Sequence, residues 1–205
     1  MAALVCAALP GLRLLTMKRR SLLATLLVLP AAARAQTGEW QTVVAPDLRF
    51  RLEMPAPAAK TTAEEKEKGH ASARIAWESK SGDQIFNFDY VDYDSGWFSS
   101  RDGKEMAREL GRGDAEKAFP KPKYKYVRDE PILLQGWDGY ALDIEGEGGA
   151  GVMMRTYIAG DRLFRMLVTV GPDLASKNAA GRFLDSLKLA EGRETKTTPI
   201  EPRKP

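Results

Sequence analysis

From Leu48 onward the sequence changes character at every second residue. In Leu48-Arg-Phe-Arg-Leu-Glu-Met-Pro55 the residues Leu48, Phe50, Leu52 and Met54 alternate with charged ones. A period of two belongs to the β-strand, whose successive side chains point to opposite faces, so these four share one face. Pro55 and Pro57 end the run. The same alternation recurs in Gln84–Tyr93, with Phe86, Phe88 and Tyr90 inward and Asn87 and Asp89 outward. It recurs again in Tyr140–Glu145, with Tyr140, Leu142 and Ile144 opposite Ala141, Asp143 and Glu145. A chain made of one-sided strands has to bring those faces together, and this limits the fold more than any motif does.

Further strands are expected at Ser72–Ser79 and at Val127–Leu134, the latter interrupted by Pro131. Val152–Ala159 and Arg162–Val170 read as a hairpin around Gly160-Asp161, a glycine-first pair suited to a type II′ turn. Lys60–Gly69 is polar and charged and reads as a connection. Two helices are expected. Asp102-Gly-Lys-Glu105 has the spacing of a capping box before a helix through Met106 and Leu110, weakened near Gly111 and Gly113 and stopped by Pro120. Asp173, after Pro172, can cap a second helix through Leu174, Phe183 and Leu184. No internal repeat is visible. Helices are too few for parallel crossovers. The expected fold is α+β, a single domain with an antiparallel β-sheet of about six to seven strands packed by two helices.

Ahead of this body, residues 17–36 read MKRRSLLATLLVLPAAARAQ. A cationic start, an apolar run and small residues before a cut are the parts of an export signal. Lys18, Arg19 and Arg20 supply the charge, Leu22–Ala33 the run, and Ala33-Arg34-Ala35 the small-x-small site. Cleavage is expected after Ala35, giving a periplasmic or secreted product. The run is shorter than the roughly 20 residues that span a bilayer, so no stable membrane anchor is expected. Arg19-Arg20-Ser21-Leu22-Leu23 resembles the twin-arginine pattern, but Lys18 stands where Ser or Thr is usual and no Lys follows the leucines, so the Sec route is preferred. Residues 1–16 put a second apolar stretch in front of the cationic cluster, the wrong order for one signal. Met17 is therefore read as the true start. A peptide spanning Thr16 and Met17 would overturn that reading.

The leader also sets the apparent charge. Five of the 31 basic residues and none of the 28 acidic ones lie before Gln36, so the remainder carries 26 against 28, a net charge of −2. That balance does not argue for nucleic acid as a partner. Cys6 is the only cysteine. The body from Gln36 on thus has no disulfide, no thiolate metal site and no cysteine nucleophile, and must be held by its core.

Motifs that could carry chemistry are weak. His70 is the only histidine, so a triad or a histidine metal site would have to rest on it alone; a surface role is expected. Asp89, Asp92 and Asp94 lack the regular alternation of a calcium loop and read as a solvated strand end. Asp143, Glu145 and Glu147 gather like charges that a metal, water or nearby Lys or Arg could relieve. The stretch Glu147–Gly151 lacks the ending of a phosphate loop and lies between strands. No metal and no cofactor are expected. Lys121–Tyr126 reads as an edge strand whose lysines discourage pairing with other chains. Trp97 and Trp137 sit in turn-like settings, where an aromatic is either a lid on the core or a ligand contact, and both are kept as binding candidates.

Several segments together carry a resemblance. They are the proline-ended strand Phe50–Pro55, the Gly-Trp-Asp-Gly-Tyr strand start at 136–140, the Arg-Leu-Phe hairpin at 162–164, and the close Arg182-Phe-Leu-Asp-Ser-Leu-Lys-Leu189. Over about residues 40–189 the chain resembles small exported bacterial domains of the PsbP-like and DcrB-like fold group. The resemblance implies an antiparallel sheet between helices and a non-catalytic accessory or binding role, and it supplies no catalytic residues. The expected layout is a signal at 1–35 with the extension 1–16, the domain at 36–189 and a disordered tail at 190–205. The expected function is a soluble periplasmic binding or accessory module, a monomer or weak oligomer, for a protein or small-molecule partner. The alternatives are a small hydrolase-type enzyme using carboxylates such as Asp143 and Glu145, and an assembly protein acting through the sheet edge near Lys121–Tyr126.

Overall fold

The computed structural model describes residues 39–190 apart from 48, 68, 69, 95, 99, 100 and 122, and does not describe the side chains of 64–67, 70–72, 114 and 117. The leader with its front extension, the tail beyond 190 and the side chain of His70 lie outside the described residues.

Ten strands and two α-helices follow in order: β1 (Trp40–Val44), β2 (Phe50–Pro55), β3 (Ala59–Glu67), β4 (His70–Ser81), β5 (Gln84–Asp92), α1 (Gly103–Ala118), β6 (Lys125–Leu134), β7 (Trp137–Glu145), β8 (Gly151–Ala159), β9 (Arg162–Val170), α2 (Leu174–Asp185) and β10 (Lys188–Leu189). Seven form one sheet in the order β3-β4-β5-β9-β8-β7-β6, and three form a second, β1-β2-β10. Every pairing is antiparallel. The fold is a single α+β domain, with the expected seven strands in the main sheet and three more in a smaller one.

Parity along the strands divides the core. Phe86, Phe88, Tyr90, Phe164, Met166 and Val168 turn to one face of the large sheet, where the small sheet and α2 cover them with Phe50, Leu52, Met54 and Phe183. Phe50 is the hinge of this layer, within 4.9–5.9 Å (ring centroids) of Trp77, Phe88, Tyr90 and Phe164. Burying one such ring contributes about 1.5–3 kcal/mol. On the other face Tyr140, Ile158 and Leu163 meet Met106 and Ala107 of α1, and Leu142 and Ile144 meet Ala115.

Both helices start as the sequence requires. The Asp102 carboxylate accepts from the N–H of Lys104 at 2.9 Å, and that of Asp173 from the N–H of Ser176 at 2.8 Å. The Gly160 turn also has the expected shape, with φ of +62° at the glycine and no positive φ at Asp161.

Three expectations need correction. Lys60–Gly69 is not a connection: up to Glu67 it is strand β3, paired along its length with β4. An edge strand with one neighbour needs no apolar face, and Ala59–Ala63 are all exposed. Only Lys125 and Tyr126 of the Lys121–Tyr126 run belong to β6; the earlier lysines precede it, with Lys121 over the Tyr126 ring at 4.6 Å and Lys123 over Tyr124 at 5.6 Å. Pro131 does not break β6, because β6 is an edge and can turn a residue without N–H outward. The helix α1 runs as expected through Met106 and Leu110 and ends before Pro120, and at Gly111 a Cβ would lie 2.9 Å from Thr156 Oγ1. That glycine is there for close packing of helix on sheet.

Candidate functional site

Strand register gathers both tryptophans at one end of the large sheet. Asp92 pairs with Arg162, Ala159 with Arg162, and Leu134 with Trp137, so the ends of β5, β8 and β6 and the starts of β9 and β7 coincide there. Two side chains show that the small sheet brings its own end to the same place. Asp47, between β1 and β2, binds Arg162 at 2.8 Å, and Gln135 binds the backbone of Leu189 in β10. We refer to this as the loop end.

Trp97 lies in a turn fastened to the β8–β9 hairpin. The Tyr93 N–H donates to the Asp161 carbonyl at 2.8 Å, and the Gly96 N–H to the Asp161 carboxylate at 2.9 Å. The half-buried Trp97 ring stacks on Tyr93 at 5.8 Å, with the Arg101 guanidinium 5.3 Å from its centroid. It belongs to the α1 layer, whereas Trp137 packs in the small-sheet layer. The structure therefore places the two at one end but on opposite faces, and does not join them into one aromatic groove.

Three of the six acids singled out in the sequence, Asp89, Asp92 and Asp143, are engaged by arginines. Asp89 is not a solvated strand end: it is buried and held by Arg74 and Arg165, each at 2.8 Å. Strand parity turns Asp89 onto the face opposite the small sheet, where both arginines stand on neighbouring strands. Asp143 is buried against Arg155 at 2.5 Å. Asp92 accepts from Arg162 Nε at 2.5 Å and Nη2 at 2.8 Å, while Nη2 also reaches Asp47. Burial disfavours the Arg162 cation, but the hydrogen bonds it donates to Asp92 and Asp47, with their charges, more than offset this and raise its pKa above the ordinary value. Partial burial of Asp47 is likewise outweighed by the hydrogen bond from Arg162, the Arg49 N–H and both charges, which lower its pKa. Tyr90 lies beneath Arg162, 4.3 Å from ring centroid to guanidinium. Asp143 and Glu145 both border a small hollow of about 140 Å³, with Val127, Met153, Val170 and Lys177. Among the described residues no group of three or more His, Cys, Asp or Glu is placed to hold a metal ion, and no helix is long and apolar enough to cross a membrane.

Larger hollows of about 460 and 530 Å³ lie over the small sheet, and both are walled by Arg51 and Lys188. These two are direct cross-strand partners, and both are exposed. The first hollow extends past Glu53 to Arg182 and Asp185 at the end of α2; the second extends past Val44 to Gln135 and Leu189 at the loop end. Sequence alternation already turned Arg51 outward. Nothing in the sequence marked Lys188 as its neighbour, because a two-residue strand has no readable period.

No family model and no curated protein sequence matches the chain. Among solved structures, the solution structure of cyanobacterial PsbP (CyanoP) from Synechocystis sp. PCC 6803 aligns with a TM-score of 0.50 at 8% identity, over 79% of this chain and 97% of that one. A crystal structure from Bacteroides thetaiotaomicron VPI-5482 aligns at a TM-score of 0.36 and 14% identity, over 73% of this chain and 48% of that one. The first of these alignments, with the two helices and the antiparallel sheets described above, shows a PsbP-like fold.

Proposed function

We propose that this protein is an exported, soluble, non-catalytic accessory module that works by contact with a partner. The observation that carries the reading is the state of its acids. Asp143, one of the two carboxylates the sequence offered for acid–base work, is paired with Arg155, and Asp89 and Asp92 of the acidic run are paired with arginines too; Glu145, the other candidate, borders the small hollow. A general acid or base has to be within reach of a substrate proton, and a buried carboxylate held by guanidiniums, as Asp89 and Asp143 are, acts as a strut. The PsbP-like fold supports the same reading by analogy, as does the leader ending in Ala33-Arg34-Ala35. We assign partner contact to the loop end, where Trp97 and Trp137 both sit and where the hollow walled by Gln135 opens.

Fractionation of the native cell with intact-mass measurement of the purified product tests this. The expected outcome is a periplasmic or secreted chain beginning at Gln36, which in native mass spectrometry carries a co-purifying subunit or small molecule. A cytosolic product with its leader attached would overturn the export half. Turnover lost on substituting Glu145 would overturn the non-catalytic half.

A further inference from the structure

The outward face of the small sheet holds an arrangement that folding alone does not explain. Arg51 of β2 and Lys188 of β10 stand directly opposite each other, with side chains on the same face. Like charges directly opposite across an antiparallel pair destabilise the sheet. Elsewhere among the described residues the buried cations meet acids: Arg155 meets Asp143, Arg162 meets Asp47 and Asp92. Close by, Arg182 is paired with Glu53 at 2.7 Å, which removes the one acid of β2 from reach as a counterion. Among the described residues neither Arg51 nor Lys188 has an acid within salt-bridge distance. The two cations are also the shared wall of both hollows, so the uncompensated charge lies at the middle of a groove running from the end of α2 to the β6–β7 turn.

We infer that this groove binds an acidic, extended segment of a partner protein, with its carboxylates on Arg51 and Lys188 and an apolar side chain against Val44, the cross-strand partner of Arg51. Charge complementarity selects the anion. The shape selects a polypeptide over a lipid surface: the site is a groove running from the end of α2 to the β6–β7 turn, and Val44 lines it at 48% exposure. This deepens the proposed accessory role by giving the chemistry of its partner, and its test does not depend on the compartment.

The test is fluorescence anisotropy of a fluorescein-labelled hexaglutamate peptide with the full chain at low ionic strength, against R51E/K188E and against K121E/K123E, which carries the same change in net charge elsewhere. The leader's basic residues are common to all three proteins. Each surface ion pair contributes little, and replacing attraction by repulsion at two of them should weaken binding about tenfold. The expected result is that loss for R51E/K188E and a change of less than about twofold for K121E/K123E, which the screening of remote charges predicts. A neutral variant, R51T/K188T, should weaken binding by less than the reversal does, while melting at a higher temperature than the parent because the like-charge pair is gone. Equal losses in the two reversal variants, no loss in either, or no binding by the parent would overturn the inference. So would tighter, Arg51-dependent binding to phosphatidylglycerol vesicles than to the peptide. Any of these would leave the localisation result standing.

Discussion

Gln135 pairs with Leu189 as one strand residue pairs with another. Its side-chain Nε2 donates to the Leu189 carbonyl at 3.0 Å, and the Leu189 N–H donates to its Oε1 at 2.7 Å. The amide thereby satisfies one edge of the two-residue strand β10 and ties the small sheet to the β6–β7 turn. It does so from a left-handed backbone, φ +49°, the only positive φ at a non-glycine among the described residues. With Gly136 at φ +84° this is a turn in which both central residues are left-handed, a position where Asn or Gly is usual. The side chain's bonds explain the choice of Gln.

Gln135→Gly separates the two effects. It relieves left-handed strain of about 1–2 kcal/mol and removes two hydrogen bonds of about 1 kcal/mol each. The net change in stability is expected to be small, within about 1 kcal/mol, whereas native-state exchange of the Leu189 amide should become much faster. Unchanged Leu189 exchange would show that the pairing does not hold β10.

The Asp143–Arg155 pair should behave as a strut. Asp143→Asn leaves a buried guanidinium without its counterion and is expected to cost about 3 kcal/mol. The double replacement Asp143→Leu with Arg155→Met removes both charges and should recover most of that loss. Urea denaturation of the three proteins measures this directly. A single variant as stable as the parent would return Asp143 to the list of groups available for chemistry.

Two glycines in α1 are expected to respond in opposite directions. At Gly113 nothing lies within 4 Å of an added Cβ, so Gly113→Ala should stabilise the protein by up to about 1 kcal/mol through helix propensity. Gly111→Ala gains the same propensity but drives a methyl against Thr156 Oγ1, with Tyr140 Cδ1 3.8 Å away, and overpacking costs about 1–3 kcal/mol. It should be neutral or destabilising, and Thr156→Ala should restore the gain. Thermal melts of the single and double variants check the coupling.

Sequence and structure agree where period and capping act locally. Phe86, Phe88 and Tyr90 alternate and are buried; Asp102 and Asp173 sit before apolar runs and cap them. Disagreement begins where a partner distant in sequence decides. β1 and β10 are short and become strands only because β2 lies between them. β3 lacks an apolar face and is defined by its pairing with β4. Asp89 looks solvated in Asp-Tyr-Val-Asp-Tyr-Asp because Arg74 and Arg165 are 15 and 76 residues away. The Arg51–Lys188 pair was hidden for the same reason: each residue is unremarkable until a register joins them.

Acid should loosen the β1–β2 loop. Asp47 fastens the β1–β2 loop to Arg162, and its pKa lies below the ordinary carboxylate value. A carboxylate whose pKa is depressed on folding contributes stability that is full above its unfolded pKa, about 3.9. That contribution is lost as pH falls through the lower folded value. The Asp47 side chain is 37% exposed, so solvent screens the interaction and its contribution at neutral pH is held to about 0.5–1 kcal/mol. Asp47→Asn should therefore be less stable than the parent by about that amount at pH 7. Its deficit should stay constant down to the region of the unfolded pKa and shrink below it as the parent's own Asp47 becomes protonated. Urea midpoints taken in steps from pH 7 to strongly acid solution measure the difference. A deficit that persists undiminished at the acid end would mean that Asp47 acts through its shape in the loop and not through its charge on Arg162.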